Sequence, residues 1–235
     1  MNDWGSIMNS RNIVNLFIST LVIGGVAAGL AGFVFRWDQF QPLFSSFDIG
    51  EIIISFIWMI GVGLIFSVLS QAGFFAYLTV HRFGLGIFKS VSLWNSVQVL
   101  LIIFVLFDLV YLRYTNFASK GDALFPYIAV AIMLLVIGLI TAYLKAKQTN
   151  KHAFIPALFF MTVITTLEWT PVLRADDISW MYFMFIPLIV CNIYQLLILD
   201  KLIRKSKVEL EARRVEKAAI SKSKGKNKVQ KLKEV

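Results

Sequence analysis

Six long apolar runs fill most of the chain between residues 13 and 200. They carry no charged residue and cover residues 13–35, 52–80, 90–107, 123–144, 153–167 and 178–199. An α-helix needs about 20 apolar residues to cross the hydrocarbon core of a membrane; four runs supply this length, and the third and fifth reach it through flanking residues. With 58% hydrophobic and 16% charged residues, the composition is unlike that of a soluble domain. The sequence therefore predicts an all-α integral membrane protein, a bundle of six transmembrane helices.

Lysine and arginine are distributed unevenly among the gaps between these runs. Of the 23 such residues, 19 lie before the first run, after the second and fourth runs, or beyond the last. The other gaps hold Arg36, Arg113, Lys120 and Arg174. Cytoplasmic loops carry the excess of basic residues in membrane proteins, so this pattern predicts a multi-pass protein of the cell membrane with both termini in the cytoplasm.

The C-terminal segment accounts for the net charge of the whole protein. Residues 201–235 hold 13 basic and 4 acidic side chains, which accounts for the net charge of +9. We therefore divide the chain into a membrane domain at 1–200 and a basic cytoplasmic tail at 201–235. The tail is predicted to be helical to about residue 217 and disordered across the lysine-rich stretch 221–228. Anionic lipid is its expected contact, and no specific nucleic-acid binding is predicted.

Several amides lie in the apolar runs at a similar predicted depth, in the cytoplasmic half of the membrane. They come from the second, third and sixth helices: Gln71, Asn95, Gln98, Asn192 and Gln195. Amides at one depth on several helices indicate an interhelical hydrogen-bond layer. Such a layer either holds the helices together or lines a polar path, and the residues alone favour the first without excluding the second.

Two acids, Asp108 and Glu168, lie within or near the predicted hydrocarbon, toward its outer side. Ionisable groups at this depth cost free energy and are often functional. Asp108 can reach the outer interface or Arg113, so an interfacial or paired acid is the expected role. For Glu168, pairing and proton transfer stay open alternatives.

The motifs of common catalytic sites are missing from the sequence. It contains neither H-E-x-x-H, nor G-x-S-x-G, nor the phosphate loop G-x-x-x-x-G-K-[ST]. With one cysteine and no cluster of histidines and acids at ligand spacing, neither a metal nor another cofactor is predicted. The sequence therefore predicts a protein that is not an enzyme.

A resemblance to a known family rests on the junction of the second and third helices. Residues 61–71 (GVGLIFSVLSQ), 73–89 (GFFAYLTVHRFGLGIFK) and 92–98 (SLWNSVQ) resemble the KbaA family, and so do 45–48 (SSFD) and 106–111 (LFDLVY). These are the KinB-signalling-pathway activation membrane proteins of endospore-forming bacilli. The resemblance covers about residues 10–200 and does not extend to the basic tail.

The resemblance implies a non-enzymatic protein that supports a membrane sensor histidine kinase feeding the sporulation phosphorelay. The residues themselves suggest where contact is made. Around the predicted inner loop 80–90 lie basic and aromatic side chains, namely His81, Arg82, Phe83, Phe88 and Lys89. The residues alone favour binding of anionic lipid headgroups by this surface, and docking of the kinase or its accessory lipoprotein is the alternative that the resemblance suggests.

The alternative function is a small transporter or channel. Glu168, Asp108 and the amide layer would then form its polar path. A measured flux that requires Glu168 would distinguish this class from an accessory protein.

Overall fold

Seven helices make up the described chain. The computed structural model describes the backbone of residues 9–119 and 121–233, and the side chains among these except 38 and 215–233. In chain order the helices are α1 (Ser10–Phe35), α2 (Trp37–Ser45), α3 (Ile49–Phe88), α4 (Val91–Phe117), α5 (Phe125–Gln148), α6 (Lys151–Leu173) and α7 (Ile178–Lys233). All of these except the short α2 are long and apolar enough to cross a membrane. The predicted fold class, an all-α membrane bundle of six spans, is confirmed.

Side-chain caps explain where three of these helices begin. Asp48 accepts a hydrogen bond from the backbone N–H of Glu51 at 3.1 Å, which starts α3. Ser90 accepts one from Leu93 N at 3.4 Å at the start of α4, and Asp177 accepts one from Trp180 N at 3.0 Å before α7. Each cap satisfies a backbone donor that has no partner inside the helix.

The structure differs from the sequence-based boundaries at two helix ends. Residues 80–90 were predicted as a loop, but α3 continues to Phe88 and only Lys89 and Ser90 separate it from α4. Lys89 ends the helix in the left-handed conformation, with φ of 51°. At the other end of the chain, the backbone of α7 is helical to Lys233, across the stretch 221–228 where composition predicts disorder. Lysine, glutamine and glutamate have good helix propensity, which is the local reason for this continuation. The division into membrane domain and tail stays a prediction.

The chain forms two compact units, which we describe separately. The smaller unit comprises, among the described residues, 9–16 and 198–233. There Asn12 Nδ2 donates to Ser206 Oγ at 2.7 Å and Asn9 Nδ2 donates to Glu209 Oε2 at 3.1 Å. These hydrogen bonds tie the first turns of α1 to the tail segment of α7.

The larger unit, Phe17–Leu197, contains the packed interior of the protein. In the most apolar windows of α6 and α7, 61% of the residues are buried, against 22% in α3 and α4. The two last spans therefore form the centre of this unit. Much of α3 and α4 is left exposed, and the exposed side chains are mostly apolar, as expected for helices that face lipid.

Small residues let α1 and α3 approach closely within this unit. A methyl group added at Gly24 would lie 2.7 Å from Cβ of Ser67, closer than real side chains pack. Ser67 Oγ also donates to the carbonyl oxygen of Thr20 at 2.8 Å. Close approach and an interhelical hydrogen bond are the usual means of helix association where water is absent.

Candidate functional site

Four buried polar side chains from α3, α6 and α7 are joined by hydrogen bonds. Gln195 Nε2 donates to Ser70 Oγ, and Ser70 Oγ donates to Asn192 Oδ1, both at 2.7 Å. Asn192 Nδ2 in turn donates to Glu168 Oε2 at 2.7 Å. None of the four is more than 4% exposed. We call Ser70, Glu168, Asn192 and Gln195 the buried polar cluster.

Asn192 is the centre of this cluster. Its amide nitrogen also donates to Thr165 Oγ1 at 3.0 Å, so the side chain uses both its donor and its acceptor groups. Because the side chain connects α7 to α3 and to α6, it holds three spans in one register. Hydrogen bonds between membrane helices contribute about 0.6–2 kcal/mol each.

One oxygen of Glu168 has no hydrogen-bond partner in the described part of the chain. Oε1 is buried and, among the residues that the structure describes, no donor lies in range. It faces the backbone of α3 at Gly73, where an added methyl group would overlap both Oε1 and the carboxyl carbon. Glycine at position 73 is therefore what gives the carboxyl group room. A buried acceptor without a partner costs free energy and is often a feature of a functional site.

The helix that carries Glu168 is irregular just before it. Residues Phe160–Ile164 form a π-helical segment between two α-helical pieces of α6. Thr162 and Thr166 donate their hydroxyl groups to the carbonyls of Leu158 and Thr162, at 2.8 and 2.7 Å. π-Helical turns inside α-helices are rare and occur frequently at functional sites.

The five predicted amides do not form one layer. Asn192 and Gln195 belong to the buried polar cluster, whereas Gln98 lies against His81. Gln71 is 2% exposed, and neither atom of its amide group has a partner among the described residues. Asn95 is half-buried, and its Oδ1 is likewise without a partner in the described chain. The sequence predicts how deep each amide lies in the membrane. That depth does not determine which faces of the helices contact each other.

Two members of this network were not among the site candidates chosen from the sequence. Ser70 and Thr165 carry hydroxyl groups that are common in membrane helices and so gave little signal. Ser70 lies one residue before Gln71, and the polar pair was a usable indication of an inward face. Nothing at Thr165 indicated its contact with Asn192.

Asp108 lies apart from the cluster. It is half-buried on α4, and its suggested partner Arg113 makes other contacts. Arg113 Nη1 donates to the carbonyl oxygens of Leu173 and Ala175, at 3.0 and 3.4 Å. Among the described residues, no hydrogen bond or ion pair joins Asp108 to Arg113 or to the buried polar cluster.

The turn between α3 and α4 is braced by aromatic packing. Trp94 Nε1 donates to His81 Nδ1 at 3.1 Å, and Gln98 Nε2 lies 3.3 Å from the same atom. Phe88 stacks on Trp94 with ring centroids 5.5 Å apart. Gly84 allows this arrangement, because an added methyl group would overlap the Trp94 ring.

Three of the predicted contact residues remain at the surface of this turn. Arg82, Phe83 and Lys89 are exposed, with Phe83 66% exposed, whereas His81 and Phe88 are half-buried against Trp94. We call Arg82, Phe83 and Lys89 the basic turn. It has one aromatic and two cationic side chains next to the packed side chains of His81, Trp94 and Phe88.

Taken with the fold, these sites define a class of protein: a multi-pass α-helical membrane protein with a buried polar cluster and an exposed basic turn. Within the described ranges, no three histidine, cysteine or acidic side chains are grouped so that they could hold a metal ion. The chain matches the KbaA family, described as KinB-signalling pathway activation in sporulation, over residues 24–202. It is similar to the KinB-signaling pathway activation protein of Bacillus subtilis (strain 168), with 48% identity over 198 residues, 84% of this chain and 100% of that protein. No solved structure matches it. The chain belongs to the KbaA family.

Proposed function

We propose that this chain is a non-enzymatic membrane protein that activates a KinB-type sensor histidine kinase and so feeds the sporulation phosphorelay. Support comes from the family, whose description is KinB-signalling pathway activation in sporulation, and from the name of the Bacillus subtilis relative. The six apolar spans fit a protein that acts within the membrane next to such a kinase.

The proposed orientation has both termini in the cytoplasm. The support is the charge distribution, with 19 of the 23 lysines and arginines on the side that holds the termini and the turns after the second and fourth spans. An epitope tag fused after residue 235 should be inaccessible to antibody or protease in intact cells and become accessible after permeabilisation. Access from outside intact cells would contradict this orientation.

The proposed docking surface is the basic turn. The observation that carries it is the exposure of Arg82, Phe83 and Lys89 in front of a packed His81–Trp94–Phe88 support. Aromatic and arginine side chains held on a rigid element are typical of residues that dominate protein interfaces. The partner is the kinase or its accessory lipoprotein, and anionic lipid at the basic loops and tail is the accompanying contact.

Charge reversal tests this surface. The double variant Arg82→Glu/Lys89→Glu should strongly reduce the output of a kinase-dependent sporulation reporter. Lys147→Glu/Lys151→Glu is the matched control. These two exposed lysines lie where α5 ends and α6 begins, and the substitution changes the charge by the same amount. Equal loss in both variants would show that only the overall charge of this side matters, and the docking proposal would be wrong.

Crosslinking identifies the partner. A photoreactive phenylalanine analogue at Phe83 should crosslink to the kinase or to the lipoprotein in membranes. The same analogue at Tyr143 is the control, because both side chains are aromatic and similarly exposed, at 66% and 62%. No protein adduct at 83, or equal adducts at 83 and 143, would contradict a specific docking site.

A second candidate function is transport of a proton or small solute. The observation that favours it is the unpartnered, buried Oε1 of Glu168 beside the π-helical segment of α6. In proteoliposomes, a transporter would show a flux that Glu168→Gln abolishes. The activator function instead requires no flux and a sporulation output that Glu168→Gln leaves nearly unchanged.

A further inference from the structure

A cavity lies at the end of α4 that is opposite the basic turn. Its volume is about 350 Å³, and its walls come from the last turns of α4, the start of α5 and the start of α7. Among the described residues, three charged side chains line it, Arg113, Asp122 and Asp176, together with Tyr127 and Tyr182. The remaining lining is mostly apolar.

Arg113 supplies an anion-binding group in this cavity. It is only 8% exposed, and Nη1 is held by the carbonyl oxygens of Leu173 and Ala175. Its guanidinium carbon lies 4.8 Å from the ring centroid of Phe117. Within the described part of the chain Arg113 makes no ion pair, and its Nε and Nη2 donors have no partner. A buried guanidinium with unused donors is suited to a phosphate or carboxylate.

The two acids at the same cavity restrict the ligand further. Asp122 and Asp176 are both exposed, and Oδ2 of Asp122 is held by the backbone N–H of Ser119 at 2.7 Å. With one cation and two carboxylates among its described residues, the lining repels a ligand that carries only negative charge. A ligand with an ammonium group next to its anionic group satisfies both signs.

The surroundings favour an amphiphile. Phe117, Val130 and Met181 give the cavity apolar walls, and it lies where three membrane-spanning helices begin or end. This is the depth at which lipid headgroups lie.

We propose that this cavity binds a zwitterionic phosphate–ammonium headgroup, with the phosphate on Arg113 and the ammonium between Asp122 and Asp176. Ethanolamine phosphate is the simplest group with this chemistry. It can come from membrane phosphatidylethanolamine or from a soluble glycerophosphoethanolamine. The proposal does not depend on the kinase-activating function.

Binding to the purified full chain in detergent tests this site. Native mass spectrometry would measure the affinity for dioctanoyl phosphatidylethanolamine, for dioctanoyl phosphatidylglycerol, which lacks the ammonium, and for glycerophosphoethanolamine. The wild-type protein should bind phosphatidylethanolamine about tenfold or more tightly than phosphatidylglycerol. Similar affinity for glycerophosphoethanolamine would identify a soluble ligand for the site, and its failure to bind would identify a lipid ligand.

Variants separate the two halves of the site. Asp122→Asn/Asp176→Asn should remove the preference for phosphatidylethanolamine while phosphatidylglycerol binds no more weakly than before. Both acids are exposed, so this variant is expected to fold. Arg113→Met should weaken both lipids, and Asp108→Asn on the same helix, outside the lining, should change neither. Equal affinity of the wild type for both lipids, or a preference that survives in the Asp122→Asn/Asp176→Asn variant, would overturn the proposal.

Discussion

Helix α3 carries two regions that differ in almost every physical respect. At Ser70 and Gly73 it contributes to or contacts the buried polar cluster, where side chains are enclosed and hydrogen-bonded to one another. In its last turns it carries Arg82 and Phe83 of the basic turn, where side chains are exposed. Buried polar groups affect stability strongly when one partner is removed, whereas exposed charges contribute little to it. The helix thus separates groups that affect stability from the proposed docking surface, so mutations should change one without the other.

The largest effect on stability is expected at the centre of the buried polar cluster. Asn192→Leu removes the partner of Ser70, Thr165 and Glu168 and leaves these groups buried, so we expect a loss of about 2–3 kcal/mol in the free energy of unfolding. Denaturation in mixed detergent micelles measures this. Asn116→Leu is the control, because that asparagine is exposed on α4. A loss below about 0.5 kcal/mol at position 192 would mean that the cluster does not hold the helices together.

A smaller loss of stability is expected when an added methyl group crowds the buried polar cluster than when Asn192 is replaced. Gly73→Ala places a methyl group on the carboxyl group of Glu168, which should cost about 1–3 kcal/mol because the acid must leave Asn192. Gly61→Ala and Gly86→Ala lie on the same helix with nothing within 4 Å of the added methyl group. These controls should be neutral or slightly stabilising through helix propensity. Thermal unfolding of the three variants measures these changes in stability. Equal changes in all three would contradict close packing at Gly73.

Disturbing the packing of Trp94 behind the basic turn should cause an intermediate loss of stability. Gly84→Ala forces the Trp94 ring to move, which we expect to cost about 1 kcal/mol and to lower reporter output because the exposed side chains lose their fixed position. Tryptophan fluorescence reports the ring displacement, and Gly86→Ala is again the control. Displacement of Trp94 with full reporter output would show that the support does not matter for activation.

The smallest effect on stability is expected at the basic turn itself. Arg82→Glu/Lys89→Glu should change the free energy of unfolding by no more than about 0.5 kcal/mol, since both residues are exposed. The same variant should lose reporter output, so the two measurements should diverge. A large loss of stability would remove the separation between the two regions of α3.

The sequence predicted the number of spans because hydrocarbon thickness fixes helix length. It placed the end of α3 too early, because the charge-free run ends at residue 80, just before His81 and Arg82. The helix continues past these residues to Phe88, and its Gly84 makes room for Trp94 from the next helix. Such a contact between helices cannot be read from one segment alone.

The candidate site was predictable only in part. Asn192, Gln195 and Glu168 were selected because polar residues in apolar runs are costly and therefore informative. Their pairing depends on the rotation of each helix about its axis, and hydropathy does not fix that rotation. The π-helical segment before Glu168 adds to the difficulty, since no residue type among Phe160–Ile164 marks a change in hydrogen-bond register.

The π-helical segment has a genetic consequence. A π turn holds one residue more than the α turn it replaces, so it behaves as a one-codon insertion that the fold has absorbed. Loss of a single codon between positions 160 and 164 would therefore return the segment to regular α-helical turns and leave Glu168 facing α7. The same loss elsewhere in α6, between this segment and Glu168, would rotate Glu168 by about 100° about the helix axis and would be far more damaging.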